Sequence, residues 1–210
     1  MNNVRGLGDA LRLDHTLNLP SARCLLVLDP QRPNELFDPL VDAAQQAEDL
    51  FLVYYAGHGL LEGDDGELHL ALGMSRQGRP WTSAPFHSIA REFLKSRART
   101  KVLLLDCCYS GRAMRHQMSN SASPPMEQIE VAGTYTMTSV SENKRSLAPE
   151  GETYTAFTGE LIDILINGIP GEGRDLTFIP IYEELRKRLR RRAFPEPQQL
   201  NKNGALNLSI

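Results

Sequence analysis

Lys101-Val-Leu-Leu-Leu-Asp106 is the stretch that most restricts how this chain can fold. Four apolar residues in a row, closed by charge at each end, are the pattern of a strand buried on both faces, as in a parallel sheet. The run ends in an acid, a pair of thiols and a glycine turn, Asp106-Cys-Cys-Tyr-Ser-Gly111. Leu50-Phe-Leu-Val-Tyr-Tyr55 repeats the pattern, and Ala56-Gly-His-Gly59 follows it. Open α/β sheets place ligands outside the carboxyl ends of their strands. The two strands therefore deliver a histidine and a thiol to one edge of a sheet.

That pairing suits nucleophilic thiol chemistry. A thiolate attacks, and a nearby imidazole takes its proton and returns it to the leaving amine. Glycines on both sides of His58 let a substrate backbone pass close and leave the Gly59 N–H free to point outward. That N–H and the backbone N–H of the nucleophilic cysteine are candidates for an oxyanion hole. His58 precedes Cys108 by 50 residues.

The two motifs, Tyr54-Tyr-Ala-Gly-His-Gly59 and Asp106-Cys-Cys-Tyr-Ser-Gly111, resemble the His and Cys motifs of caspase-like peptidases, whose histidine precedes the cysteine by about this spacing. The D-x-C-x-S-G pattern is closer to the metacaspase and bacterial branch than to animal caspases. The resemblance runs from about Asn2 to the end. It implies a three-layer α/β fold, a mostly parallel sheet flanked by helices. It also implies that the usual first strand is lacking, because the chain starts in the region that follows it. The third motif position is the nucleophile, which maps to Cys108 and not Cys107. Cys108 then also supplies the second oxyanion N–H. Asp106 maps to the acid of a pocket for a substrate Arg or Lys, and Ser139 to its border. The implied activity is cleavage of a peptide or protein substrate after Arg or Lys. The implied setting is a bacterial defence or signalling system with a sensor or regulatory protein as partner.

Around these strands the chain reads as one domain, 1–210. A helix is expected over Val4–Leu13 from Val4, Leu7 and Leu11. Cys24-Leu-Leu-Val-Leu28 reads as a short buried strand with Cys24 a core thiol. Asn34 is expected to cap a helix running to Asp49, with Leu36, Leu40, Val41 and Ala44 inward. Gly63-Asp-Asp-Gly66 reads as a hairpin turn before the strand Leu68–Leu72, with His69 facing away from the core. Asp64, Asp65 and Glu67 lack EF-hand spacing, so a polar turn is favoured over the Ca²⁺ site that some metacaspases need, and no cofactor is called. Ser83–Arg99 carries a helix with Ile89, Phe93 and Leu94 on one face.

After Gly111 the chain turns rich in Ser, Asn and Pro, and 112–130 reads as a linker that includes His116. In caspase-like enzymes the corresponding segment is mobile and open to cleavage, which makes Arg112, Arg115, Lys144 and Arg145 candidate self-cleavage points. Thr134–Val140 has strand composition. Helices follow over Thr153–Asn167, with Phe157, Leu161, Ile162 and Leu165 inward, and over Ile181–Arg192, opened by Pro180. The basic run Arg186–Arg192 complements the helix dipole and reads as a solvated face. Leu206–Ile210 alternates as a terminal edge strand.

Composition narrows the partners. A formal charge of −3 argues against general nucleic-acid binding. Three cysteines, two adjacent, give no disulfide framework, so a reducing, cytoplasmic setting is expected. No apolar run approaches the ~20 residues that span a bilayer. Two rivals to the peptidase remain: an inactive caspase-like scaffold that binds a partner, and a redox protein using Cys107-Cys108. The second is disfavoured because redox motifs use C-x-x-C. A zinc site fails on spacing.

Overall fold

The computed structural model describes residues 2–63, 66–108, 134–139, 149, 151–173 and 176–202. Among them the helices are α1 (Asn2–Leu11), α2 (Pro33–Gln46), α3 (Phe86–Lys95), α4 (Ala156–Asn167) and α5 (Phe178–Arg191). The strands are β1 (Leu50–Gly57), β2 (Gly59–Glu62), β3 (Glu67–Leu70), β4 (Ala84–Pro85), β5 (Thr100–Cys107), β6 (Thr134–Thr138) and β7 (Gln198–Lys202). The main sheet has the order β1-β5-β6-β7, parallel except for β7, and a small antiparallel sheet has the order β2-β3-β4.

The period of two along β5 builds the three layers. Val102 and Leu104 face α1, α4 and α5, together with Tyr135 and Met137 of β6. Leu103, Leu105 and Cys107 face α2 and α3. Both faces are covered, which is why the strand needs apolar residues at consecutive positions. Val102, Leu103 and Leu105 have no solvent-exposed surface, and burial of that completeness stabilises by about 1.5–3 kcal/mol per side chain.

The helix α4 starts where Thr155 caps it, accepting from the Thr158 N–H at 3.3 Å, and stops at Gly168, whose φ of 74° lies in the left-handed region. In α5, Ile181, Leu185 and Leu189 pack under the sheet. Leu185→Ala should cost about 2–5 kcal/mol, read by urea denaturation, because its site is closed on all sides. A loss below about 1 kcal/mol would show that α5 is not docked as described.

Several expectations need correction. Cys24–Leu28 is not a strand: it pairs with none among the described residues, and Leu25 is 66% exposed. Strand composition alone does not make a strand: the outer edge of β1 has no partner among the described residues, yet this segment does not pair with it. Cys24 is half-buried against α1, its Sγ 4.0 Å from the Gly8 carbonyl. The cap of α2 is Arg32, not Asn34, because Pro33 takes the first helical position, and the helix stops at Gln46. Pro180 lies in the first turn of a helix already begun at Phe178.

His69 is buried, at 4% exposure, rather than turned outward. Its strand is the middle one of the small sheet. Its ring finds Ser83 Oγ at 2.9 Å and the Glu67 carboxylate at 3.7 Å, which offsets the cost of burial. Leu94 is 39% exposed, and the buried face of α3 is Phe86, Ile89, Ala90 and Phe93. The hairpin over Gly63–Gly66 does join β2 to β3. The 112–130 linker and the 206–210 strand lie outside the described residues, and the antiparallel edge strand seen is β7.

Most of the basic run Arg186–Arg192 is paired with acids on the molecule. Arg186 and Arg190 hold Glu196, Arg188 holds Glu184 and Asp163, and Arg192 holds Glu152 and Glu160. The two arginines pull the Glu196 carboxyl down to about 2, chiefly by hydrogen bonding from Arg190 and then Arg186.

Candidate active site

The strands β1 and β5 run parallel over eight register pairs, from Leu50↔Thr100 to Gly57↔Cys107. His58 and Cys108 are the next residue beyond that last pair. Neighbouring strands lie about 4.8 Å apart, so the two residues leave the sheet side by side. His58 is exposed and Cys108 half-buried.

The turn carrying His58 is fixed from three sides. The Ala71 N–H donates to the His58 carbonyl at 2.9 Å. The Tyr55 hydroxyl reaches the Ala71 carbonyl at 2.8 Å and the His58 carbonyl at 3.0 Å. Burial first, then the neighbouring Cys107, pushes the Tyr55 phenol well above its ordinary pKa, so it keeps the proton it donates. A Cβ at Gly57 would stand 2.4 Å from the Tyr55 hydroxyl oxygen, so a side chain there would push the Tyr55 ring off these hydrogen bonds.

Gly59 matters for a different reason than substrate clearance. A Cβ there would lie 2.0 Å from the Cys108 carbonyl oxygen. The histidine turn thus rests on the cysteine backbone itself. Gly59 pairs with Leu70 in the antiparallel β2–β3 ladder, and the Ala71-to-His58 bond makes it a non-hydrogen-bonded pair. The Gly59 N–H therefore points away from β3 and is not consumed by the ladder.

The adjacent thiols differ sharply. Cys107 has no exposed surface and belongs to the α2–α3 core. Burial first, then the charge of Asp106 and the neighbouring Cys108, pushes its thiol well up, which is the opposite of activation. Both cysteines are free, so the pair is not a vicinal disulfide.

Asp106 is 1% exposed and points to the other face, at the start of α4. Its Oδ2 accepts from the Thr155 hydroxyl and, at 2.6 Å, from the Thr158 hydroxyl. The proton directions are determined. Thr155 Oγ1 accepts from Asn3 Nδ2 and the Thr158 N–H, both at 3.3 Å, so its own proton goes to Asp106. Thr158 also donates to Asp106, so the Tyr54 hydroxyl, 2.5 Å away, donates to Thr158. Burial first, then the Asp106 charge, pushes the Tyr54 phenol well up, in keeping with a donor. Asn3 also accepts from the Thr155 N–H at 3.1 Å.

Ser139 is 2% exposed just beyond β6. Its N–H donates to Leu105 at 2.8 Å and its hydroxyl approaches the Cys107 carbonyl at 3.5 Å. Ser139 thus lies beside the end of the cysteine strand.

Sequence reasoning missed Tyr54, Tyr55, Thr155, Thr158 and Asn3. The tyrosines read as strand residues, and their hydroxyl partners are remote in sequence. Thr155 carried a usable signal, a threonine directly before an apolar helical run, the usual mark of an N-cap. Tyr109-Ser-Gly111, Asp64, Asp65, His116, Arg112, Arg115, Lys144 and Arg145 lie outside the described residues. Among the described residues no three His, Cys, Asp or Glu groups are arranged to hold a metal ion. No described helix is long and apolar enough to cross a membrane.

A mostly parallel sheet, covered by helices on both faces and carrying a histidine and a cysteine at neighbouring strand ends, is the layout of a caspase-like peptidase. The model of the caspase domain family matches residues 22–203, and the chain belongs to that family of cysteine peptidases. The comparison with curated proteins gives no match.

Proposed function

We propose that the protein is a cysteine endopeptidase using a Cys108–His58 dyad. The observation that carries this reading is the parallel register Gly57↔Cys107, which puts the next two residues side by side. His58 takes the Cys108 proton, and the thiolate attacks the scissile carbonyl carbon. The N–H groups of Gly59 and Cys108 hold the oxyanion. The intermediate collapses as His58 protonates the leaving amine, leaving a thioester on Cys108. Water, deprotonated by His58, then attacks the thioester, and the carboxylic acid product departs as Cys108 regains its proton.

In this reading Asp106 is the acidic floor of the pocket for the residue before the scissile bond, Ser139 borders it, and the preferred residue is Arg or Lys. What supports it is a carboxylate two residues before the nucleophile, held by directed hydroxyl donors. Arg binds such a group with two parallel hydrogen bonds. The role as a partner-triggered protease in defence or signalling rests on the resemblance of the motifs alone.

A fluorogenic peptide panel varying only the residue before the cut tests the pocket in wild type and Asp106→Asn. Wild type should prefer Arg and Lys, and the variant should lose most of that preference. Preference for Asp, or a basic preference untouched by the substitution, would discard the pocket assignment.

A further inference from the structure

The segment leaving the Ala71–His58 hydrogen bond forms one wall of an open groove of about 530 Å³. Its floor is fixed by two backbone bonds, from Gly73 to the Pro30 carbonyl at 2.9 Å and from Met74 to the Gln31 carbonyl at 3.3 Å. The opposite wall is the entry to α2, with Arg32. The wall facing it carries Met74, Arg76, Arg79 and Trp81.

This wall is a shaped element rather than a loose loop. Ser75 Oγ accepts from the Leu72 N–H and donates to the Thr82 carbonyl, both at 2.8 Å. The Arg76 N–H donates to Thr82 Oγ1 at 2.9 Å, and the Thr82 hydroxyl donates to the Arg79 carbonyl at 2.8 Å.

Two properties mark the groove. Trp81 is 72% exposed and Met74 51%, and both line the groove. The guanidinium groups of Arg32, Arg76 and Arg79 form no ion pair with any described residue, whereas Arg186, Arg188, Arg190 and Arg192 are all paired. The nearby carboxylates of Glu35 and Glu62 accept instead from the N–H groups of Gln31 and Gly78. On a chain of net charge −3 this is a local excess of positive charge around an apolar patch.

We propose that the groove seats an acidic stretch of the polypeptide being cleaved, at positions beyond the residue bound at Asp106. This rests on the peptidase reading above. Only two residues separate Ala71, whose N–H holds the His58 carbonyl, from Met74 in the groove wall, and a substrate lying across the dyad continues along that segment. Carboxylates of that stretch meet the three arginines, with two parallel hydrogen bonds available to each. Trp81 and Met74 take the aliphatic stems and any apolar residue between the acids.

Trp81 is the sole tryptophan, so its fluorescence reports the groove directly. Full-length Cys108→Ala protein is titrated with a dye-labelled peptide rich in Asp and Glu, with its Asn/Gln counterpart, and with a single-stranded oligonucleotide. Anisotropy measures binding, and Trp81 emission of the unlabelled titrations locates it. The acidic peptide should bind and perturb Trp81, weaken as salt rises, and bind about tenfold more weakly to Arg76→Glu/Arg79→Glu protein of unchanged circular dichroism. No binding, equal binding of the neutral peptide, tighter binding of the oligonucleotide, or indifference to the charge reversal would each overturn the proposal.

A second arm separates the two readings. Wild-type enzyme is given a cleavable peptide with and without the acidic extension, and the extension should lower KM with little change in kcat. Failure to cleave either peptide defeats the peptidase reading, while the binding titration still decides the groove. Cleavage of both with equal KM defeats the groove alone.

Discussion

Cys108→Ala should abolish peptide hydrolysis, whereas Cys107→Ala should leave most of it. The two thiols are adjacent, so the contrast tests their surroundings rather than their position along the chain. Cys107 lies wholly inside the α2–α3 core, where burial and the Asp106 charge hold its proton on. Cys108 is half-buried beyond the strand end, next to His58 in register. Removing the nucleophile removes the covalent route altogether, because among the described residues no other nucleophile leaves the sheet beside His58. Removing the Cys107 sulfur instead leaves a small cavity, a stability cost of about 1–2 kcal/mol. Activity assays on both variants, with a thermal melt to report folding, decide it. Equal loss of activity from both, or labelling by iodoacetamide at Cys107 only, would sink the assignment.

His58→Ala should lower kcat by about 10²-fold or more, within the range that a positioned proton carrier supplies. The residual rate should rise with pH as solvent takes over thiol deprotonation. Near-full turnover in this variant would remove the dyad. Gly59→Val should be at least as harmful, but by a different route. Its Cβ falls 2.0 Å from the Cys108 carbonyl oxygen and would push the nucleophile's backbone aside. That backbone contact has no flexible side chain to give way. Chemical denaturation should show most of the fold retained while turnover collapses.

The centre of the fold was legible because it obeys local rules. Continuous apolar runs bounded by charge announced β1 and β5, and the glycine-flanked turn announced the β2–β3 hairpin. The family is borne out by a match over residues 22–203. What the sequence hid depends on partners far along the chain. Cys24–Leu28 has strand residues but meets no strand edge. His69 alternates like a surface residue, yet lies in the middle strand of a small sheet covered on that side by Ser83 and Glu67. The support of Asp106 joins Asn3, Tyr54, Thr155 and Thr158, a set with no period to read. The pairing of Arg188 and Arg192 with acids 25 and 32 positions away is invisible for the same reason.

The register between β1 and β5 has a dynamic consequence. The amides of Leu103 to Leu105 sit between strands on both sides, under helices on both faces. Protons in such a place exchange with solvent only when the whole domain opens. Cys108 is therefore tied to the slowest-exchanging part of the molecule, and His58 to that part through the eight register pairs of β1 with β5. Heat or denaturant should not loosen the pair gradually: catalytic competence and amide protection in β5 vanish together, in one transition.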